Sequence, residues 1–226
     1  MTTRARPSAS ALTERQEARR RRILGASAEL ARRGGFDAVQ MREVAEVSGV
    51  ALGTLYRYFP SKIHLLVATM RDQLQRMRET LDEHPPTEPD PADRVAKTLM
   101  RAFRGLRHEP QLADAMVRAL TFADHSVSAE VDEVSRLTTA IILEAVGRDV
   151  PPDPRTLSVV RVIEHTWLSA LITWLSGRAS IERVRVDVET VCQLVTTLPD
   201  PGAGTRTSAG ASTGAPGTNR AETDGG

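Results

Sequence analysis

The residue types best suited to recognition chemistry are concentrated in one run, Met41-Arg-Glu-Val-Ala-Glu-Val-Ser-Gly-Val-Ala-Leu-Gly-Thr-Leu-Tyr-Arg-Tyr-Phe-Pro-Ser-Lys62. Its arginines, threonine, tyrosines and lysine carry donors that suit base edges and phosphate oxygens. The sequence offers nothing comparable for catalysis: there is no nucleophile motif, no phosphate-binding glycine loop and no carboxylate pair. The five histidines (64, 84, 108, 125 and 165) have no ligand spacing, and the single Cys192 has no partner nearby. No metal site and no cofactor is therefore expected.

Within the run, two helices of about two turns joined through Gly49 form a pair whose second member can lie in a major groove. Helical periodicity divides the side chains. Val44, Ala45, Val50, Leu55 and Phe59 form an inner packing set, while Arg42, Leu52, Gly53, Thr54, Tyr56, Arg57, Tyr58 and Lys62 point outward. Gly53 lets the helix approach base edges closely. Thr54 and Tyr56 suit base edges or methyl groups, and Tyr58 and Lys62 suit phosphates. The plainer alternative, an aromatic core cluster, is accepted for Phe59. For the two tyrosines, outward orientation favours DNA. The basic run Arg19–Arg22 is either a solvated face or a further phosphate contact.

The charge distribution agrees. Net charge is only +1, but residues 1–62 hold 12 Lys/Arg against 6 Asp/Glu, and the remaining residues hold 18 against 23. A basic nucleic-acid surface at one end and a near-neutral body behind it follow from that asymmetry. One cysteine permits no intrachain disulfide, which suits a reducing cytoplasm. The N-terminal arginines lead into no apolar segment, and the apolar stretch from Trp167 to Leu175 is too short to span a bilayer.

These residues need a scaffold, and the periodicity makes it all-α. Residues 1–12 read as a flexible basic arm, and Thr13-x-x-Gln16 as a capping box opening the first helix, which Gly34-Gly35 ends. Short helices fit Met41–Ser48 and Leu52–Tyr58, and Pro60 with Ser61 starts a long one reaching about Glu83. His84–Pro91 has four prolines in eight residues and must be a loop. Helices follow at about 92–108, 110–123, 127–146, 154–176 and 181–198. The resulting division is a DNA-binding unit over 13–60, an effector and dimerisation unit over 61–198, and a Gly/Ala/Thr/Ser/Pro tail over 199–226 with too little to bury to be ordered.

Beyond residue 62 the aromatic residues are Phe103, Phe122, Trp167 and Trp174. A mainly aliphatic pocket suits an alicyclic or long-chain effector better than a planar cationic drug. The expected site lies between the helix after Lys62 and the Trp167 helix, lined by Phe103, Met116, Leu120, Phe122, Trp167 and Leu171, although each of these could equally be plain core. Arg94, Lys97, Arg101, Arg104 and His108 share one helical stripe, read either as a solvated face or as a seat for coenzyme A phosphates. Cys192 reads as a small core or interface residue.

The run Gly53-Thr-Leu-Tyr-x-Tyr-Phe-x-Ser-Lys62 resembles the DNA-binding domain of TetR-type repressors. The resemblance implies that Arg42, Thr54 and Tyr56 read bases and that Tyr58 and Lys62 clamp phosphates. Where that family often has a Thr pair, this chain has Val39-Gln40, which leaves the usual cap absent and makes Gln40 a candidate DNA contact. A narrower resemblance, to the KstR-type subgroup that represses cholesterol-catabolism genes in actinobacteria, rests on residues outside the shared motif. These are Ala38–Arg42, Leu55–Val67, Met116–Asp124, Glu130–Asp132 and Trp167–Ser180. It implies a sterol-derived acyl-CoA or related steroid acid as effector, with a fatty acyl-CoA or an antibiotic as the alternative. The helix around Trp167–Leu175 is apolar on all sides and must be buried on all sides. Pairing of the last two helices between subunits, as in the family, would place Trp174, Val188, Val191 and Val195 at a homodimer interface. A helical enzyme or lipid carrier is the rival from another class, and the missing catalytic groups count against it.

Overall fold

The computed structural model describes residues 9–147 and 152–198, with side chains from Glu14 onward. Residues 1–8 of the expected arm and the 199–226 tail lie outside the described residues. Among the described residues the chain is helical and contains no strand, as the periodicity requires.

The first helix, α1 (Ala9–Ala38), starts earlier than expected and is broken at Gly34 and Gly35. Ala9 to Leu12 are therefore helical rather than part of an arm, and Thr13 lies inside the helix, where it cannot cap. Ala9, Ala11 and Leu12 are good helix formers, and they carry the helix past the polar residues. Gly35 supplies the stop: its φ is +67°, in the left-handed region that a side chain would strain.

Helices α2 (Met41–Ser48) and α3 (Leu52–Tyr58) form where expected. Gly49, at φ 66°, donates to Glu46 O, and Val50 N donates to Ala45 O at 3.0 Å. This pair of bonds is a Schellman turn, and it sets the angle between the two helices. Neither helix has a side-chain cap. Instead Val39 and Val44, both fully buried in one cluster, occupy the two positions of a hydrophobic staple at the start of α2. Pro60 ends α3, and Ser61 caps α4 (Lys62–Glu83) by accepting from His64 N.

The body comprises α5 (Pro91–His108), α6 (Pro110–Thr121), a 3-10 turn (His125–Val127), α7 (Ser128–Val146), α8 (Pro154–Leu175), α9 (Ile181–Cys192) and a second 3-10 turn (Gln193–Thr197). Asp90, Asp153 and Ser180 cap α5, α8 and α9 through backbone N–H groups, and proline opens α5, α6 and α8. The last expected helix thus ends at Cys192 and tightens into 3-10 geometry.

Two hydrophobic clusters organise the packing. One joins α1–α4 to the inner face of α6 and to Val127 and Val134. The other joins α5, α8 and α9 to the C-terminal part of α7. Helix α6 belongs to both: Met116 faces the first cluster and its neighbour Val117 the second. The core of α1–α4 is consequently completed by α6. Arg94 fastens the far end of the body, donating to Ala145 O at 2.9 Å, Val146 O at 2.7 Å and the carbonyls of Glu88 and Pro89. These bonds satisfy carbonyls at the end of α7 and hold down the proline-rich loop.

Candidate nucleic-acid interface and effector body

The inner and outer sets of the α2–α3 pair separate as their period demands. Val44, Ala45, Leu55 and Phe59 are buried, and Val50 packs partly against them. Arg42, Gly53, Tyr56 and Arg57 are exposed, with Thr54 half-buried beside them. Leu52 and Tyr58 are intermediate: both touch the cluster, and the Tyr58 ring lies 6.3 Å from that of Phe59. A glycine inside a helix costs about 1 kcal/mol relative to alanine. A Cβ at Gly53 would meet nothing within 4 Å, so the protein's own packing does not require the glycine.

Flanking this helix are the groups suited to phosphates. Lys62 opens α4, and its Nζ sits 3.9 Å from the centroid of the Phe36 ring. Partial burial lowers the ammonium's pKa below its ordinary value; Asp37 opposes that shift and Arg118 adds to it. Of the basic run, Arg20 places its guanidinium 5.8 Å from the Phe59 ring, beside the end of α3, while Arg21 and Arg22 are exposed. Gln40 is exposed at the start of α2 and makes no cap; its side-chain amide donates to Asp37 O at 3.0 Å.

Sequence reasoning missed what supports these groups. Phe36 carries Lys62, Arg118 and the edge of Phe122 (5.7 Å) on one ring. His64 accepts or donates at Ser61 Oγ (2.9 Å) and reaches Ser126 O at 3.0 Å, joining the start of α4 to the 3-10 turn. An aromatic directly after a Gly-Gly break was the available signal for Phe36. The partners from α6 could not be read, because they are over eighty residues away.

The six expected effector residues do not form one site. Phe103, Trp167 and Leu171 gather in the second cluster, where Trp174 joins them: its ring meets Phe103 at 5.0 Å and Trp167 meets it at 6.3 Å, both edge to face. Met116 and Leu120 belong to the first cluster instead. Phe122 is 55% exposed and packs on Phe36, so it stands at the junction with the end of α1, away from Phe103, Trp167 and Leu171. Of the two helices expected to border the pocket, α4 packs on α1, α6 and α7, and α8 packs on α6, α7 and α9.

The cationic stripe on α5 is partly consumed by structure. Arg94 binds carbonyls, Arg101 donates to His84 O at 2.8 Å, and Lys97 pairs with Glu88. Lys97, Thr98 and Arg101 border a groove of about 30 Å³ with Leu81, Pro85 and Pro86. That volume is below the range of about 300–1,000 Å³ usual for small-molecule pockets. Arg104 and His108 remain exposed.

The expected interface valines are internal. Val188, Val191 and Val195 are buried within one chain, in the cluster that α9 and its following turn share with α5 and α8. Trp174 is half-buried on Phe103. The apolar residues that α8 and α9 do leave open include Val162 (45% exposed), Ile172 (37%) and Val186 (41%). Cys192 is a core residue, and burial pushes its thiol up to about 12. Among the described residues no cluster of three metal-ligating side chains occurs, and no helix is long and apolar enough to cross a membrane.

Comparison with known proteins matches this arrangement. Residues 23–69 match the model of bacterial regulatory proteins of the tetR family, and residues 89–195 match a tetracyclin repressor-like C-terminal domain. The chain is 43% identical to the HTH-type transcriptional repressor KstR of Rhodococcus jostii over 180 residues, covering 80% of this chain and 84% of that protein. With KstR of Mycobacterium tuberculosis the identity is 38% over 183 residues, covering 81% and 83%. The crystal structure of a TetR transcriptional regulator from Rhodococcus sp. RHA1 superposes with a TM-score of 0.75 at 38% identity, over 80% of this chain and 97% of that one. These relatives are transcriptional regulators and not enzymes. The chain belongs to the TetR family of bacterial regulatory proteins, and within it is a transcriptional repressor close to the KstR proteins.

Proposed function

We propose that the chain works as a homodimer that holds a near-palindromic operator through α3 and is released by an apolar effector, a sterol-derived acyl-CoA thioester. The observation that carries the DNA half is the face formed by Arg42, Gly53, Thr54, Tyr56 and Arg57, open beside Tyr58 and Lys62. In this reading Arg42, Thr54 and Tyr56 meet base edges, with Leu52, Gly53 and Arg57 along the same surface. Gln40, Tyr58 and Lys62 hold the backbone. The dimer would form through the exposed apolar positions of α8 and α9 in place of the internal valines.

The effector would enter the second cluster beside Phe103, Trp167 and Leu171, where aliphatic and aromatic side chains meet. Steroid rings bury there by area, at about 25 cal/mol per Å². Because α6 packs on both clusters, widening the second one displaces α6 and with it the packing behind α3. A ligand with equal affinity for both arrangements would release nothing. The steroid class rests on the resemblance to KstR-type repressors.

Gel shifts on DNA upstream of the protein's own gene, with a panel of acyl-CoA thioesters, test this reading. A steroid thioester should release the DNA and its free acid should act less strongly. Release by a fatty acyl-CoA or a planar drug, with none by steroid thioesters, would reject the effector class and leave the repressor standing.

A further inference from the structure

Lys62 is held in an unusual way for a surface lysine. None of the ion pairs among the described residues includes it. Its ammonium rests instead on the Phe36 ring, with Nζ 3.9 Å from the centroid. That ring is fixed from a segment over eighty residues away: the Arg118 guanidinium lies 5.0 Å from its centroid and the Phe122 edge meets it at 5.7 Å. Arg118 also reaches Asp37, the residue next to Phe36, at 3.4 Å.

We propose that Phe36 is a positioning residue for the phosphate contact of Lys62, its ring seating the ammonium at the start of α4 before DNA arrives. The proposal rests on the reading in which Lys62 meets a phosphate. A lysine free in solvent must lose rotamer freedom to make such a contact. A lysine seated on an aromatic face has already lost much of it, and it keeps N–H donors directed away from the ring. The seat is built from two segments far apart in sequence, Phe36 after the break in α1 and Arg118 with Phe122 at the end of α6. A leucine at position 36 would keep apolar volume but has no ring quadrupole to hold a cation.

The test is fluorescence anisotropy of labelled operator and scrambled duplexes across a salt series. The proteins are the wild type, Phe36→Leu, Phe36→Met, Phe36→Tyr, Lys62→Ala and the Phe36→Leu/Lys62→Ala double variant, each checked by thermal melting. Phe36→Leu should weaken binding to both duplexes by about threefold to tenfold. Phe36→Met, the second variant should leucine fail to fold, should do the same, and Phe36→Tyr should retain wild-type affinity. In the Lys62→Ala background the leucine substitution should add almost nothing. A Phe36→Leu protein that binds as well as wild type or better, or that loses the same factor whether or not Lys62 is present, overturns the proposal. The DNA reading fails separately, if Lys62→Ala itself changes neither affinity nor salt dependence.

Discussion

Arg118 Nη1 lies 3.4 Å from Asp37 Oδ2, which ties the last turn of α6 to the residues that follow the break in α1. Arg32 and Glu109, 2.8 Å apart, tie the same two helices at the start of α6. An exposed pair of this kind is worth no more than about 1 kcal/mol, so register comes mainly from the apolar packing between these bonds. That arrangement separates two substitutions in the body. Met116 packs in the cluster that holds Leu30, Leu55 and Leu66. Met116→Trp should therefore weaken operator binding itself. Leu171→Ala, which removes a ligand contact from the second cluster without overpacking it, should leave operator affinity unchanged and blunt release by a steroid thioester. Anisotropy titrations with and without ligand check both.

Division of labour on DNA gives a second expectation. If Arg42 reads a base, Arg42→Ala should cost about 1–3 kcal/mol on the operator and relax preference at one position per half-site. Lys62→Ala should weaken operator and scrambled DNA alike and lower the salt slope by about one unit per half-site. A sequence-blind loss from both substitutions would contradict the assignment.

The contrast between the two ends of the chain shows what a sequence can carry. The α2–Gly49–α3 unit was legible because its signals are local: the glycine stop, Pro60, and a period that separates Leu55 from Tyr56. The start of α1 was misread because a plausible cap at Thr13 competed with helix formers upstream, and propensity prevailed. For α9 the period identified the apolar face but not its partner. Val188 and Val191 belong to the cluster that α9 shares with α5 and α8 of its own chain, and α5 lies some eighty residues away. Phe122 was misplaced for the same reason, since its neighbour Phe36 lies far away in sequence.

The proposed subunit contacts follow from what α8 and α9 leave uncovered. The double variant Ile172→Glu/Val186→Glu should stay helical, sediment as a monomer and bind operator poorly, because paired half-sites need a two-fold dimer. Val188→Glu should instead lose the fold, since it puts an unpaired charge in a core. A dimer surviving in the double variant would show that these faces are not the interface.

Glu164 provides a pH-dependent signal. Burial raises its carboxyl above the ordinary range, and the Thr139 hydroxyl, donating to it at 2.6 Å, only partly offsets that; His165 and Arg161 act in the same direction as Thr139. A raised native pKa means the folded state binds the proton more tightly. Its stabilising contribution is thus complete below the unfolded value of about 4.3 and is lost as pH rises through the folded one. Glu164→Gln, always neutral and still able to accept from Thr139, should melt about 1–2 °C higher than wild type at pH 7. The gap should close near pH 4. An equal gap at both pH values would show that the ionised carboxylate is not what burial penalises.

The central claim is sequence-specific DNA binding through the α3 face. Its most direct test is the ratio of affinities for a labelled duplex from the region upstream of the protein's own gene and for a scrambled duplex at the same salt, measured by anisotropy. The account predicts a near-palindromic site bound about 10³-fold or more tightly than the scrambled duplex, with the preference collapsing in the Arg42→Ala protein. Equal affinity for both duplexes across the upstream region, unchanged by Arg42→Ala, would contradict it.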